Sequence, residues 1–248
     1  MVELQWLEDG ENRIGADREA EESVTIPSAA VVVVSGDSAT LWQGAEATPL
    51  QPDLDGERPF LTHGGLAYSL IRRGGRFGVR VRDREAPARF APPQIPSFPI
   101  DPSWRIPARF EAYEPPRRSP IGSVAGTSDT EIFPGAVVFA RGGAEHRLDV
   151  IAEKGETDYW IVFGDATNGR ETYGGGRFVY APPPIDGGTV VDFNKAYNPP
   201  CVFTQYSTCP LPLPRNRLQF AVEAGEQNLD FTSAPPTAPT ASSPSPPR

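Results

Sequence analysis

A chain of 248 residues with a formal net charge of -9 and an isoelectric point near 4.8 lacks the excess of Lys and Arg through which nucleic acids and anionic membranes are bound, so neither is an expected partner. No run of about 18 apolar residues occurs, and Met1-Val2-Glu3-Leu4 opens without a signal peptide's basic stretch and apolar core. The expected location is therefore the cytoplasm, and the 24 Gly and 29 Pro favour short strands and tight turns over long helices.

From Trp6 to Arg82 the sequence reads as short strands between turns. Asp9-Gly10 and Gly36-Asp37 are hairpin signals, and Ala30 to Ser35 is a β-branched run suited to a buried strand. Ala67 to Arg72 and Phe77 to Arg82 alternate apolar and polar residues on either side of Gly74-Gly75, which predicts a hairpin with one buried and one wet face. The expected fold is mainly β, with an amino-terminal β-sandwich over residues 1–83.

Gly10-Glu11-Asn12-Arg13-Ile14-Gly15-Ala16, then Val24-Thr25-Ile26-Pro27 and later Leu66 to Leu70, resemble the strand-and-turn order of forkhead-associated domains. Those domains read phosphothreonine with an arginine after the first glycine pair and a serine and histidine in the next loop. Ala16 stands where that arginine would be, and Ser28-Ala29-Ala30-Val31 offers no histidine. The resemblance therefore implies the scaffold without phosphothreonine recognition, leaving residues 1–83 as a surface for a protein partner.

Residues 84–103 read as a Pro-rich, extended linker. A second antiparallel β module with long Pro/Gly-rich loops is expected over 104–228, with strands at Arg105 to Tyr113, Ala136 to Ala140, His146 to Ile151, Asp158 to Phe163, Val190 to Phe193 and Leu218 to Val222. Asn168-Gly169 is read as a hairpin turn in which both residues take positive φ. Residues 229–248, rich in Pro, Ser, Thr and Ala, read as a disordered tail.

Within the second module, polar side chains sit beside backbone-fixing Gly and Pro: Gly174-Gly175-Gly176-Arg177-Phe178, Asp192 to Cys201, Thr208 to Pro212, Asn216-Arg217-Leu218 and Ala224-Gly225-Glu226. Together with Gly164 to Thr172, these segments resemble the family called domain of unknown function 1684, whose name lends no activity. By the same resemblance the chain begins inside the family's pattern, without the helical lead carrying a Trp-Arg pair that longer members have before Trp6.

Arg177 offers a planar fork for a carboxylate or phosphate, or pairs internally with Asp165 or Asp192. Asp192 is a candidate general base or oxygen ligand, with Asn194 and Tyr197 orienting a substrate; Asp192 and Asn194 equally suit the satisfaction of backbone groups in an irregular loop. The expected ligand-binding set is Arg177, Asn194, Tyr197, Arg217 and Asp165, with Asp192 as the candidate catalytic residue. Cys201, Cys209, Asn198 and Glu226 are read as structural, the cysteines either as a disulfide around Val202 to Thr208 or as two small buried thiols.

No metal is expected, because His63 and His146 stand at no zinc-finger spacing, and no cofactor, because the glycines lack the strand, loop and helix of a nucleotide cradle. The expected function is binding of a small polar or anionic molecule in the second module, with hydrolysis by an Asp192-activated water as the reaction class. The alternative is a non-catalytic interaction protein whose signature residues are structural.

Overall fold

The computed structural model describes residues 1–14, 30–52, 58–89, 93–153 and 155–229. Ala16, the Val24 to Pro27 stretch and Ser28-Ala29, on which the forkhead-associated comparison turns, lie outside the described residues, as does the tail after residue 229.

The strands before residue 84 are β1 (Glu3–Trp6), β2 (Gly10–Arg13), β3 (Ala30–Ser35), β4 (Ser38–Gln43), β5 (Glu46–Leu50), β6 (Leu61–His63), β7 (Leu66–Arg73) and β8 (Arg76–Asp83). They form two antiparallel four-stranded sheets, in the orders β1-β8-β7-β6 and β2-β3-β4-β5. Val32, Val34 and Leu41 of one sheet share a core with Tyr68, Leu70, Val79 and Val81 of the other, which makes the pair a sandwich.

Gly36-Asp37 closes the β3–β4 hairpin, with Ser35 opposite Ser38. Asp9-Gly10 does not close a hairpin: β1 pairs with β8 and β2 with β3, so the Asp9-Gly10 bend carries the chain from one sheet to the other. The expected wet face of β7 and β8 is also absent. Ser69 (1 % exposed) and Arg80 (6 %) are buried, because the second module lies against that face: Arg80 donates to Thr208 Oγ1 at 3.5 Å, and the Gly74 amide donates to Asp129 Oδ1 at 2.7 Å.

Gly74 has φ +56°, and a Cβ there would lie 3.0 Å from the Ser128 amide nitrogen. Replacing Gly74 with Ala is expected to cost about 1–2 kcal/mol, from the positive φ and from crowding at this junction. Urea denaturation measures it, and an unchanged midpoint would show that the turn does not press on β10.

The second module is built from β9 (Arg105–Gly122), β10 (Ser128–Arg141), β11 (Ala144–Ala152), β12 (Tyr159–Phe163), β13 (Arg177–Ala181) and β14 (Gly188–Asp192). Their order is β13-β12-β11-β10-β9-β14, a curled half-barrel. Alternation along the strands fills both faces: Val137, Phe139, Leu148, Val150, Ile161, Phe163 and Val179 face one core, while Phe133, Ala136, Ile151, Val162 and Phe178 face another.

Among the described residues, no further strand covers these cores. The segment 193–228 does so with irregular backbone, placing Phe193, Ala196, Leu218, Val222 and Ala224 on the first face and Cys209 and Leu213 on the second. Leu218 to Val222, expected as a strand, is part of this cover, because its backbone is taken up by the 164–176 loop: Leu218 N donates to Gly164 O (2.8 Å), and Val222 N to Asp165 Oδ1 (3.2 Å).

Asn216 is 2 % exposed and fills a gap between β11 and β12, whose own pairing is confined to Ile151–Trp160 and Ala152–Tyr159. Its side chain accepts from Asp149 N (2.8 Å) and donates to Asp149 O (2.9 Å) and Val162 O (3.0 Å). One amide thus replaces the ladder bonds lost where the two strands diverge. Residues 96–98, inside the expected linker, are joined to 225–227 through Phe98 N to Gly225 O (2.9 Å) and Gln227 N to Pro96 O (2.8 Å).

Candidate functional site

Arg177 begins β13 and is fully buried. One terminal nitrogen donates to Ala224 O (2.5 Å) and Glu226 O (3.1 Å); the other donates to Val222 O (2.8 Å) and Asp165 Oδ2 (3.0 Å). The Asp165 side chain is likewise unexposed, and its Oδ1 accepts from Thr167 N (2.8 Å), Thr167 Oγ1 (2.6 Å) and Val222 N. Burial lowers the pKa of the guanidinium and Asp165 opposes that shift. The internal Arg177–Asp165 pair is therefore the observed arrangement, and the arginine's reach fixes Val222 to Glu226.

Gly169 alone takes a positive φ in the expected Asn168-Gly169 turn. Asn168 acts through its side chain, accepting from Asp165 N (2.7 Å) and donating to Tyr173 O (3.1 Å) within a loop that runs from residue 164 to 176 between β12 and β13. The glycines that follow make room for the chain itself. A Cβ on Gly175 would lie 2.4 Å from Tyr173 Cε1, and one on Gly176 would lie 2.5 Å from both Phe163 O and Pro212 Cγ.

Asp192 ends β14 and caps a 3-10 turn over Phe193–Lys195, its Oδ1 accepting from Asn194 N (3.2 Å) and Asn194 Nδ2 (3.0 Å). Asn194 in turn accepts from Asp101 N (3.0 Å) and donates to Asp101 O (2.9 Å). Tyr197 lies with Phe178 and Tyr180. Arg217 is exposed beside Gly164. Asn198 donates its amide to Glu226 Oε2 (2.6 Å) and its side chain to Gln227 O (2.8 Å), holding the end of the same segment. Among the described residues, no hydrogen bond or ion pair joins the Arg177–Asp165 pair, the Asp192–Asn194 pair, Tyr197 and Arg217 into one cluster.

Neither pair lines the cleft of about 820 Å³ formed by Ser103, Trp104, Arg141, His146, Phe220 and Glu223 among others, but each holds a segment that does. Arg177 and Asp165 fix the wall that carries Phe220 and Glu223. Asn194 fixes the other wall by binding Asp101, the cap of the Pro102–Trp104 turn. Asp101 accepts from Ser103 N (2.8 Å) and Ser103 Oγ (2.9 Å), and these bonds hold its carboxyl below the usual range.

The Arg141 guanidinium lies 3.4 Å from the centroid of the Trp104 ring, and one N–H donates to Ser103 O at 2.9 Å. His146 Nε2 is 3.1 Å from Arg141 O; a carbonyl only accepts, so Nε2 carries the proton. The imidazole meets Phe220 edge to face at 4.7 Å between centroids, and Phe220 lies nearly parallel to Trp104 at 6.4 Å. Trp104, Arg141, Phe220 and Glu223 do not figure in the sequence reading, although Asp101-Pro102-Ser103 is a helix-start signal that would have ended the linker earlier and drawn attention to Trp104.

The family model described as a protein of unknown function, DUF1684, matches residues 91–227, more than half of the chain. The chain belongs to the DUF1684 family. The matched span holds β9 to β14, both pairs and the cleft, and leaves out the sandwich. A solution NMR structure of an uncharacterized protein of Haloarcula marismortui is similar to this DUF1684 chain at 27 % identity, covering 58 % of this chain and 80 % of that one, with a TM-score of 0.47. No curated protein matches. Among the described residues, no helix is long and apolar enough to cross a membrane.

Proposed function

We propose that the second module binds a small anionic molecule, a carboxylate or phosphate ester, in the cleft between Trp104 and Phe220. The observation that carries this reading is Arg141, held over the Trp104 ring with one N–H committed to Ser103. Among the described residues the other N–H groups of its fork have no acceptor, so a planar cationic donor is pre-set at low entropic cost. Phe220 supplies apolar surface for the ligand's carbon skeleton, and the His146 ring, tied through Nε2, borders it.

The reading is one of binding rather than turnover. Asp192, the base expected from the sequence, has its Oδ1 engaged by Asn194 and supports the cleft wall from behind. The interior roles of Arg177, Asp165, Asn198 and Glu226 support the view that much of the family signature specifies the fold.

Thermal-shift and calorimetric titration with a panel of small carboxylates and phosphate monoesters tests the proposal. A ligand at about 100 times its Kd stabilises by about 2.7 kcal/mol. Arg141→Ala is expected to remain folded and to lose that stabilisation, with Arg141→Lys intermediate. A panel without a hit, or a hit that stabilises Arg141→Ala equally, refutes it.

A further inference from the structure

Cys201 and Cys209 are both free thiols that pack in one core cluster at the two ends of the loop 202–208. The Cys201 amide donates to Cys209 Sγ at 3.1 Å, fixing the second sulfur over the backbone of the first. Cys209 is 7 % exposed, whereas Cys201 is only half-buried. The Tyr173 ring is positioned by the absence of a side chain at Gly175. A half-buried sulfur thus stands beside a buried partner sulfur held over its own backbone.

We propose that Cys201 and Cys209 form a hydroperoxide-reactive dithiol, with Cys201 as the attacking thiolate and Cys209 as the resolving thiol. In the first step Cys201 Sγ attacks one peroxide oxygen; the S–O bond forms, the O–O bond breaks, and hydroxide or alkoxide leaves with a proton from solvent, giving a sulfenic acid. In the second, Cys209 Sγ gives up its proton and attacks the Cys201 sulfur, forming the S–S bond and releasing water. Two thiols lose two electrons, and one hydroperoxide is reduced to water and an alcohol, or to two waters when the oxidant is hydrogen peroxide.

The electrostatics agree with this division of roles. Cys209's thiol, followed by the Tyr173 hydroxyl, draws the Cys201 pKa down to about 7 against the opposing effect of burial, while its contact with Cys201 and burial push Cys209 far up. Tyr173 and Cys209 are the titratable groups that act on the Cys201 thiol. The loop they close also touches the sandwich through Thr208 and Arg80.

Reduced full-length protein is pulsed with iodoacetamide at pH 7 and mapped by mass spectrometry, then treated with hydrogen peroxide with and without dimedone. Alkylation of Cys201 is expected to exceed that of Cys209 by about tenfold or more, and peroxide to produce an internal, dithiothreitol-reversible disulfide. Cys209→Ser is expected to trap a dimedone adduct on Cys201, and Cys201→Ser to lose peroxide consumption. The alkylation pulse on the unaltered protein decides the matter if a variant fails to fold. Equal or reversed alkylation, or thiols inert at peroxide levels that oxidise free cysteine, overturns the proposal.

Discussion

Arg177→Ala is expected to lower the free energy of unfolding by about 3–5 kcal/mol, the usual cost of removing one partner from a buried ion pair. The loss has two sources. Asp165, with an unexposed side chain, is left as an uncompensated charge, and the carbonyls of Val222, Ala224 and Glu226 lose a shared donor. Combining Arg177→Ala with Asp165→Asn removes the unpaired charge while an amide oxygen keeps the acceptor used by Thr167 and Val222, so the double variant is expected to unfold at a higher urea concentration than Arg177→Ala alone. Equilibrium denaturation of the three proteins reads this out, and an Arg177→Ala midpoint equal to that of the unaltered chain would sink the claim that this arginine holds the segment in place.

Asn216→Ala is expected to cost about 3 kcal/mol or more, since three buried backbone groups, Asp149 N–H, Asp149 C=O and Val162 C=O, lose their partner at roughly 1–3 kcal/mol for each group left unsatisfied. Asn216→Asp keeps the shape and one acceptor but lacks the two donated bonds, so it is expected to be nearly as harmful. Amide hydrogen exchange gives the local signature: protection at Asp149 falls in Asn216→Ala relative to the β3–β4 hairpin. Unchanged protection would show that the amide does not bridge the strands.

The sequence makes most of the strand content legible, because β3, β7, β8, β10, β11 and β12 carry β-branched and aromatic runs that adjoin glycine turns. It misleads where tertiary contact overrides local pattern. The polar positions of β7 and β8 look solvated, but Arg80 meets another module, which no periodicity announces. Leu218 to Val222 has a strand's composition and becomes loop because Gly164 and Asp165 take its backbone groups.

At the candidate site, the pairing of Arg177 with Asp165 and the approach of Asp192 to Asn194 follow from residue types near one another in the chain. Their relation to the cleft does not. Trp104 and Asp101 lie about 90 positions before Asn194, and the contact exists only after the half-barrel curls. Residues with the strongest polar signature turn out to hold the walls, and the groups that face the cleft, Trp104, Arg141 and Phe220, have ordinary neighbours in sequence.

The cover over the half-barrel has a temporal consequence. The cover of both cores, the cleft wall that carries Phe220 and Glu223, and the three carbonyl partners of Arg177 come from residues 193–228, and the last clasp joins 225–227 to 96–98. During synthesis the sandwich emerges whole and can fold while the ribosome is still working, since domains generally fold as units from the amino terminus. The second module, by contrast, keeps both faces of its sheet bare until nearly all of it has been translated. A nascent chain halted near residue 192 would therefore present a folded sandwich beside an uncovered apolar sheet, the form most in need of a chaperone.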